Sequence, residues 1–348
     1  MRSRKLHLTA PAASCQPFLE ALHIDSAREL KSLAQEAVGP AYVITGDEAL
    51  IEAGEDDDHG GRDDDERRAQ DLEQALADPE VAAIVAVRGG AWFTRILPRI
   101  DFTVLDRRPA PVAVFGFSEL TTLINLIATY PMGRGVYDMG PAFLPYGLKR
   151  YARTQPAASA IGESKPEEWA RARLEPEVRG FFDDVVSMIK GHGSARPVTA
   201  ELVRGELADQ VPATFVGGNL TVLTTLLGTP YQRCVTPAQQ WLIIEDLNEK
   251  PERIDRMLAH LTLAGAWEDC AGLMLGDFHK DEQELTPAVL ELLDHHLPPD
   301  QPMPVLTTPD VGHVWPMSPL PLHLPLTLMR LEDREFAIEW PGSLLDVR

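Results

Sequence analysis

Seven consecutive apolar residues, Val81–Val87, constrain this chain more than any other feature. The run reads Val-Ala-Ala-Ile-Val-Ala-Val, with no polar residue at alternate positions. A strand with one wet face alternates apolar and polar side chains, whereas an unbroken run of strand length must be buried on both faces. Val112–Phe115 repeats the pattern. Around these runs, strand candidates Leu6–Ala10 and Ala41–Ile44 alternate with helical spacing over Phe18–Ala37, Ala69–Ala77, Arg95–Ile100 and Glu119–Tyr130. That alternation predicts an α/β fold built on a parallel sheet with helices on both faces.

At 348 residues the chain has room for two domains. Residues 1–150 hold the alternating pattern. Residues 151–212 are polar, with Pro156, Pro166, Pro176, Pro197 and Pro212, and carry one clear amphipathic helix, Glu177–Ile189. This stretch reads as an interdomain linker. Strand signals return at Ala213–Val216, Trp241–Ile244 and Ala271–Leu275, interleaved with helices at Leu220–Leu227, Glu252–Ala264 and Pro287–Leu297. A proline-dense stretch then leads into strand-like Leu326–Leu331 and Glu335–Trp340, so residues 213–348 read as a second domain.

Charge and cysteine usage exclude several function classes. The formal charge of −21 repels phosphate backbones and anionic lipid, so nucleic acid and membrane surfaces are not expected partners. No apolar run reaches the length of a membrane span. Met1–Lys5 looks briefly like the start of a signal peptide, but no apolar stretch follows, and a cytoplasmic protein is expected. Cys15, Cys234 and Cys270 are widely spaced and odd in number, which argues against a disulfide framework or zinc knuckle and for buried thiols. Glu55, Asp57, His59, Gly60 and Glu66 fall at calcium-loop offsets. The first position is not Asp and no helix clearly enters, so a solvated acidic loop is expected and no metal.

Four local elements can carry chemistry. The strand Val112–Phe115 runs through Gly116-Phe117 into Ser118 and straight into a helix, the setting of a nucleophile elbow. Taken alone, Ser118 reads as a plain helix N-cap, and Leu120 stands where the motif's second glycine belongs. Gly89 and Gly90 follow the strand Val81–Val87 and offer either backbone donors for an oxyanion or an ordinary tight turn. Glu245 and Asp246 end the run Trp241–Ile244, where a carboxylate can orient a histidine or simply be solvated. His313 follows Gly312 in a proline-bracketed loop and is a candidate general base. Together Ser118, Glu245 and His313 run in the chain order of an α/β-hydrolase triad, with acid and imidazole from a different domain than the serine. The interdomain cleft is then the expected site.

These blocks resemble the LD-carboxypeptidase family (peptidase family S66), which includes muramoyltetrapeptide carboxypeptidases and microcin C self-immunity peptidases. The resemblance rests on Arg88-Gly89-Gly90, Gly116-Phe117-Ser118-Glu119, Gly217-Gly218-Asn219-Leu220, Glu245-Asp246 with Arg253-Ile254-Asp255-Arg256-Met257-Leu258, and Gly312-His313. It implies a flavodoxin-like N-terminal domain, a smaller β-rich α/β C-terminal domain, no cofactor and a homodimer. It also implies that Ser118 is the nucleophile, His313 the base and Glu245 its orienter. The oxyanion hole would come from the backbone N–H of Glu119 and of Gly89 or Gly90. Trp92, Asn219 and Arg134 are candidate substrate-binding residues. The substrate is expected to be a small peptide, cut next to a D-amino acid. A second expectation is an aminoacyl-nucleotide amide, for which Trp92, Trp169 or Trp315 would supply a platform, and a third is a silent binder of cell-wall fragments. Ala91-Trp92 and Met139 depart from the family's usual Tyr-Gly and His, which bears on the substrate rather than the triad.

Overall fold

A computed structural model describes residues 4–13, 15–24, 26–53, 62–154, 166–297, 303–340 and 342–346. The acidic segment 55–60 and the prolines at 156 and 298–302 lie outside the described residues. Among those described, strands form two sheets, of six and nine strands.

The first sheet is built from β1 (Arg4–Thr9), β2 (Tyr42–Thr45), β3 (Val81–Ala86), β4 (Val112–Gly116) and β5 (Gly133–Tyr137). All five run parallel in the order β5-β4-β3-β1-β2. Every residue of β3 and β4 is buried, as the unbroken apolar runs require of strands covered on both faces. One cover is the helix Thr121–Ala128, itself buried at all eight positions, which explains its lack of a polar stripe.

The second sheet takes strands from a wider span than expected. β6 (Val198–Arg204) and β7 (Gln210–Ala213) come before residue 213. They join β8 (Phe215–Asn219), β9 (Trp241–Leu247), β10 (Gly272–Lys280), β11 (Gln283–Glu284) and β12 (Val305–Thr307). After a two-residue strand, β13 (Leu320–Pro321), come β14 (Leu326–Glu332) and β15 (Glu335–Glu339). The order is β7-β14-β15-β6-β12-β10-β9-β8, with β11 paired to β10. β8, β9, β10 and β12 are parallel, and β6, β7, β14 and β15 extend them antiparallel.

Residues 151–212 therefore do more than connect. They contribute β6, β7 and the helix Pro166–Ile189, and the sheet they join is the larger of the two. In β6 the buried residues Val198, Ala200 and Leu202 alternate with more exposed ones, a period-2 signal masked by its polar, proline-rich surroundings. The boundary between halves is also crossed late in the chain: β13 pairs antiparallel with Val136 and Tyr137 of β5, on the edge of the first sheet. Cys15, Cys234 and Cys270 are all buried. Among the described residues no helix is long and apolar enough to cross a membrane.

Candidate active site

The carboxyl ends of the two parallel arrays supply the site. Ser118 follows β4, and Tyr137 ends the neighbouring β5, where Gly116 and Tyr137 are paired. Asn219 ends β8 opposite Glu245 in β9. Asn125, buried in the helix Thr121–Ala128, ties the two arrays together. Its amide nitrogen donates to the Gly217 carbonyl at 2.8 Å and its amide oxygen accepts from Gly217 N–H at 2.9 Å. Ligands gather at such strand ends because the loops there are free to carry polar groups.

Ser118 sits in the left-handed region with φ of 59°, a strained conformation for a residue with a Cβ. The turn is sharp because the strand passes directly into a short helical turn, Ser118–Leu120. Ser118 Oγ lies 3.1 Å from His313 Nε2, and His313 Nδ1 lies 2.7 Å from Glu245 Oε2. A carboxylate only accepts, so Nδ1 carries the proton and Nε2 is left to accept from the serine. Glu245 is fully buried and its second oxygen is also satisfied. Tyr137 Oη donates to Glu245 Oε1 at 2.7 Å, and Asn219 Nδ2 donates to the same oxygen at 3.3 Å.

Electrostatics follow from this burial. Burial is the largest influence on His313 and pushes its pKa down. The charges and hydrogen bond of Glu245, with Asp246 and Asp277 behind, outweigh it, and the net direction is up from 6.5. Tyr137 is held well above its ordinary value by burial and by Glu245, so it keeps its proton and donates. Asp246 points away from the histidine. It accepts from the backbone and hydroxyl of Thr221 at 2.8 and 2.9 Å, anchoring the helix Leu220–Thr225, and burial first, then Glu245, pushes its carboxyl up to about 6.

Ser118 and His313 open into a cleft of about 550 Å³ lined also by Arg88, Gly89, Gly90, Phe117, Phe143, Tyr146 and Lys149. Gly89 is pressed against the serine: a Cβ there would lie 3.0 Å from Ser118 Cβ and 3.2 Å from the Phe117 carbonyl oxygen. A side chain there would crowd the serine and force it to shift. The Glu119 side chain faces the other way and accepts from Phe93 N–H at 3.0 Å, and burial raises its pKa.

Three expected substrate contacts are placed elsewhere. Arg134 is buried in β5, near the strand's amino end, and donates to the carbonyls of Pro131, Gly133 and Asp346 at 2.7, 2.8 and 2.9 Å. It braces the chain terminus and is no substrate clamp. Asn219 is buried behind Glu245, where it positions the carboxylate. Trp92 begins the helix Phe93–Ile96 with the Arg95 guanidinium 4.9 Å over its ring. The linker aromatic Trp169 stacks on Tyr151 at 5.8 Å and meets Trp315 edge-on at 5.9 Å. Tyr137, whose role no sequence pattern announced, is instead central.

A cleft at facing sheet edges, holding a serine, an imidazole and a buried carboxylate in hydrogen-bonded series, is the arrangement of an acyl-transfer hydrolase. The chain belongs to the LD-carboxypeptidase family: residues 7–134 match its LD-carboxypeptidase N-terminal domain and residues 213–328 its LD-carboxypeptidase C-terminal domain. It is accordingly a peptidase. Among its relatives, a probable murein peptide carboxypeptidase of Bacillus subtilis (strain 168) is 29% identical over 276 residues, 78% of this chain and 73% of that one. A muramoyltetrapeptide carboxypeptidase from Oxalobacter formigenes shares the fold with a TM-score of 0.62 at 21% identity, covering 97% of this chain and 98% of that one. MccF in complex with glutamyl sulfamoyl guanosine superposes with a TM-score of 0.63 at 15% identity, covering 98% and 97%.

Proposed function

We propose that this chain is a serine carboxypeptidase that hydrolyses an amide next to a D-amino acid in a murein-derived peptide. Ser118 is the nucleophile, His313 the general base and Glu245 its orienter. The observation that carries the reading is the continuous series Ser118–His313–Glu245, at 3.1 and 2.7 Å, opening on a cleft wide enough for a peptide.

In this mechanism His313 Nε2 takes the serine proton as Oγ attacks the amide carbonyl. Glu245 stabilises the imidazolium that forms, and Tyr137 and Asn219 hold that carboxylate still. The oxyanion is received by backbone N–H groups of Glu119 and of Gly89 or Gly90, with Gly89 lying closest to the serine. The imidazolium then protonates the departing amine, and water repeats the sequence on the acyl-enzyme to free the serine. The D-amino acid preference is supported by the relative of murein-peptide name and by the family.

The aminoacyl-nucleotide alternative needs an open aromatic platform for a base. Trp92, Trp169 and Trp315 are engaged with Arg95, Tyr151 and one another, which favours the peptide reading. The test is hydrolysis of an L,D-murein tetrapeptide and of an aminoacyl-sulfamoyl adenylate by wild type and Ser118→Ala. The tetrapeptide is expected to be cut by wild type, with kcat lower by several orders of magnitude in the variant. Cleavage of the adenylate alone overturns the substrate, and equal rates for the two proteins overturn the nucleophile.

A further inference from the structure

A second carboxylate–imidazole–hydroxyl series reaches the same cleft beside the first. Asp277 and His279 lie two apart on β10 and share a face. Tyr146 and Arg150 lie four apart on the helix Leu144–Thr154 and share a face as well. Where the two elements meet, Arg150 donates through both terminal nitrogens to Asp277, at 3.2 and 3.3 Å. Asp277 also bonds His279 Nδ1, and His279 Nε2 bonds the Tyr146 hydroxyl at 3.2 Å. Arg150 reaches further, to the His313 carbonyl oxygen at 3.2 Å, so the two series are tied at one residue.

The direction of each hydrogen bond follows from the carboxylate. Burial alone would raise the Asp277 carboxyl, but His279 and Arg150 outweigh it and hold it below its usual value, ionised. An ionised carboxylate only accepts, so His279 Nδ1 carries a proton. In the tautomer whose single proton is on Nδ1, Nε2 accepts and Tyr146 donates inward to it. The lone pairs of the phenol oxygen are left for a partner in the cleft. His279 is 1% exposed and Tyr146 39%, so a buried imidazole, backed by the partly buried Asp277 and Arg150, fixes the rotation of a hydroxyl that water alone could satisfy. Burying an arginine, a carboxylate and an imidazole costs desolvation, and a fixed phenol beside the serine is what this arrangement secures.

We propose that Tyr146 contacts the substrate, its phenol oxygen accepting a hydrogen bond from a peptide N–H, and that His279, Asp277 and Arg150 are positioning residues for it. This rests on the reading that Ser118 hydrolyses a peptide in this cleft. A neutral amide N–H suits the place better than an ammonium, because the charged residues among the described cleft lining are the cations Arg88 and Lys149.

The experiment compares wild type, Tyr146→Phe, His279→Gln and the double variant on an L,D-tetrapeptide, and on analogues N-methylated at each backbone amide in turn. Tyr146→Phe should lower kcat/KM about tenfold, mostly through KM, with a modest fall in melting temperature because His279 Nε2 loses its partner. His279→Gln should cost about as much, and the double variant no more than either, since one acts through the other. Wild type should reject one N-methyl analogue about tenfold more strongly than Tyr146→Phe does. Full activity of Tyr146→Phe, or undiminished discrimination among the analogues, overturns the proposal while leaving the hydrolase reading intact. Multiplying losses in the double variant overturn the positioning role. Failure of wild type to cut any of these peptides overturns the murein-peptide reading on which the contact rests, and the contact with it. If His279→Gln does not fold, Tyr146→Phe and the N-methyl series decide the contact alone.

Discussion

Tyr137 donates its hydroxyl to Glu245 at 2.7 Å, on the carboxylate oxygen that His313 leaves unused. The same hydroxyl accepts from the Ser118 backbone N–H at 3.2 Å. One phenol thus holds both the orienting carboxylate and the strained elbow. Tyr137→Phe keeps the ring packing but leaves a buried carboxylate oxygen with only the longer bond from Asn219. An unsatisfied buried acceptor costs about 1–3 kcal/mol. The expected outcome is a lower melting temperature together with a loss of about 10- to 100-fold in kcat at little change in KM, read by calorimetry and steady-state kinetics.

The pH profile follows from the raised pKa of His313. As the proposed base, His313 must be neutral to act, so kcat/KM should rise with pH, with its midpoint above 6.5. Stability runs the other way. A histidine whose folded pKa is raised stabilises the native state fully below its unfolded value, and that contribution is lost as pH rises through the folded value. Glu245→Gln removes the main charge that opposes burial. Its residual activity should titrate at a lower pH than wild type, and an unmoved midpoint would show that some other group sets the acid limb.

Away from the chemistry, Arg196 binds Asp138, at the carboxyl end of β5, and Asp184 of the helix Pro166–Ile189, at 3.2 and 2.8 Å, and also reaches the Met317 carbonyl. It stitches three distant parts of the chain. Arg196→Met should cost about 3–5 kcal/mol, because Asp138 is left fully buried without its counter-charge. Burial above all pushes the Asp138 carboxyl from 3.8 to about 6, with Arg196 pulling it down and Asp184 pushing it up. Its contribution to stability is therefore present below 3.8 and fades as pH rises through about 6. The loss in the variant should be smallest in acid, which denaturant titrations at several pH values will read.

Much of this was legible in the sequence, and the failures have a physical cause. Ser118 and Glu245 stand where apolar runs end in polar residues, and strand ends are set locally. His313 is marked by its place in the Ser–Glu–His order and by the Gly-His block. The strand Gly133-Arg134-Gly135-Val136-Tyr137 is not legible because it has no apolar run, so Tyr137 passes unmarked and Arg134 is expected at the substrate instead of inside the sheet. Both glycines are dictated by the neighbouring helix: a Cβ would lie 2.0 Å from the Ile127 carbonyl oxygen at Gly133 and 2.1 Å from that of Ile124 at Gly135. Such contact is a tertiary fact that no window of sequence contains. β13 is likewise two residues long and exists only because Tyr137 and Val136 are there to pair with it. The Tyr146–His279–Asp277 series was invisible for the same reason, since its members lie 133 residues apart along the chain.

A carboxypeptidase must recognise a free carboxylate, and in a protein of charge −21 the cleft lining carries cations. Lys149 lies on the helix Leu144–Thr154, one turn from Tyr146, and lines the cleft. Lys149→Ala should raise KM about 3- to 30-fold for a peptide with a free terminal carboxylate, the scale of one partly exposed charge-assisted hydrogen bond, with kcat nearly held. The same peptide amidated at its terminus should be cut equally by both proteins, because the charge that Lys149 reads is gone. Kinetics on the paired substrates check this. An equal penalty on the amide would show that Lys149 shapes the cleft instead of reading the carboxylate.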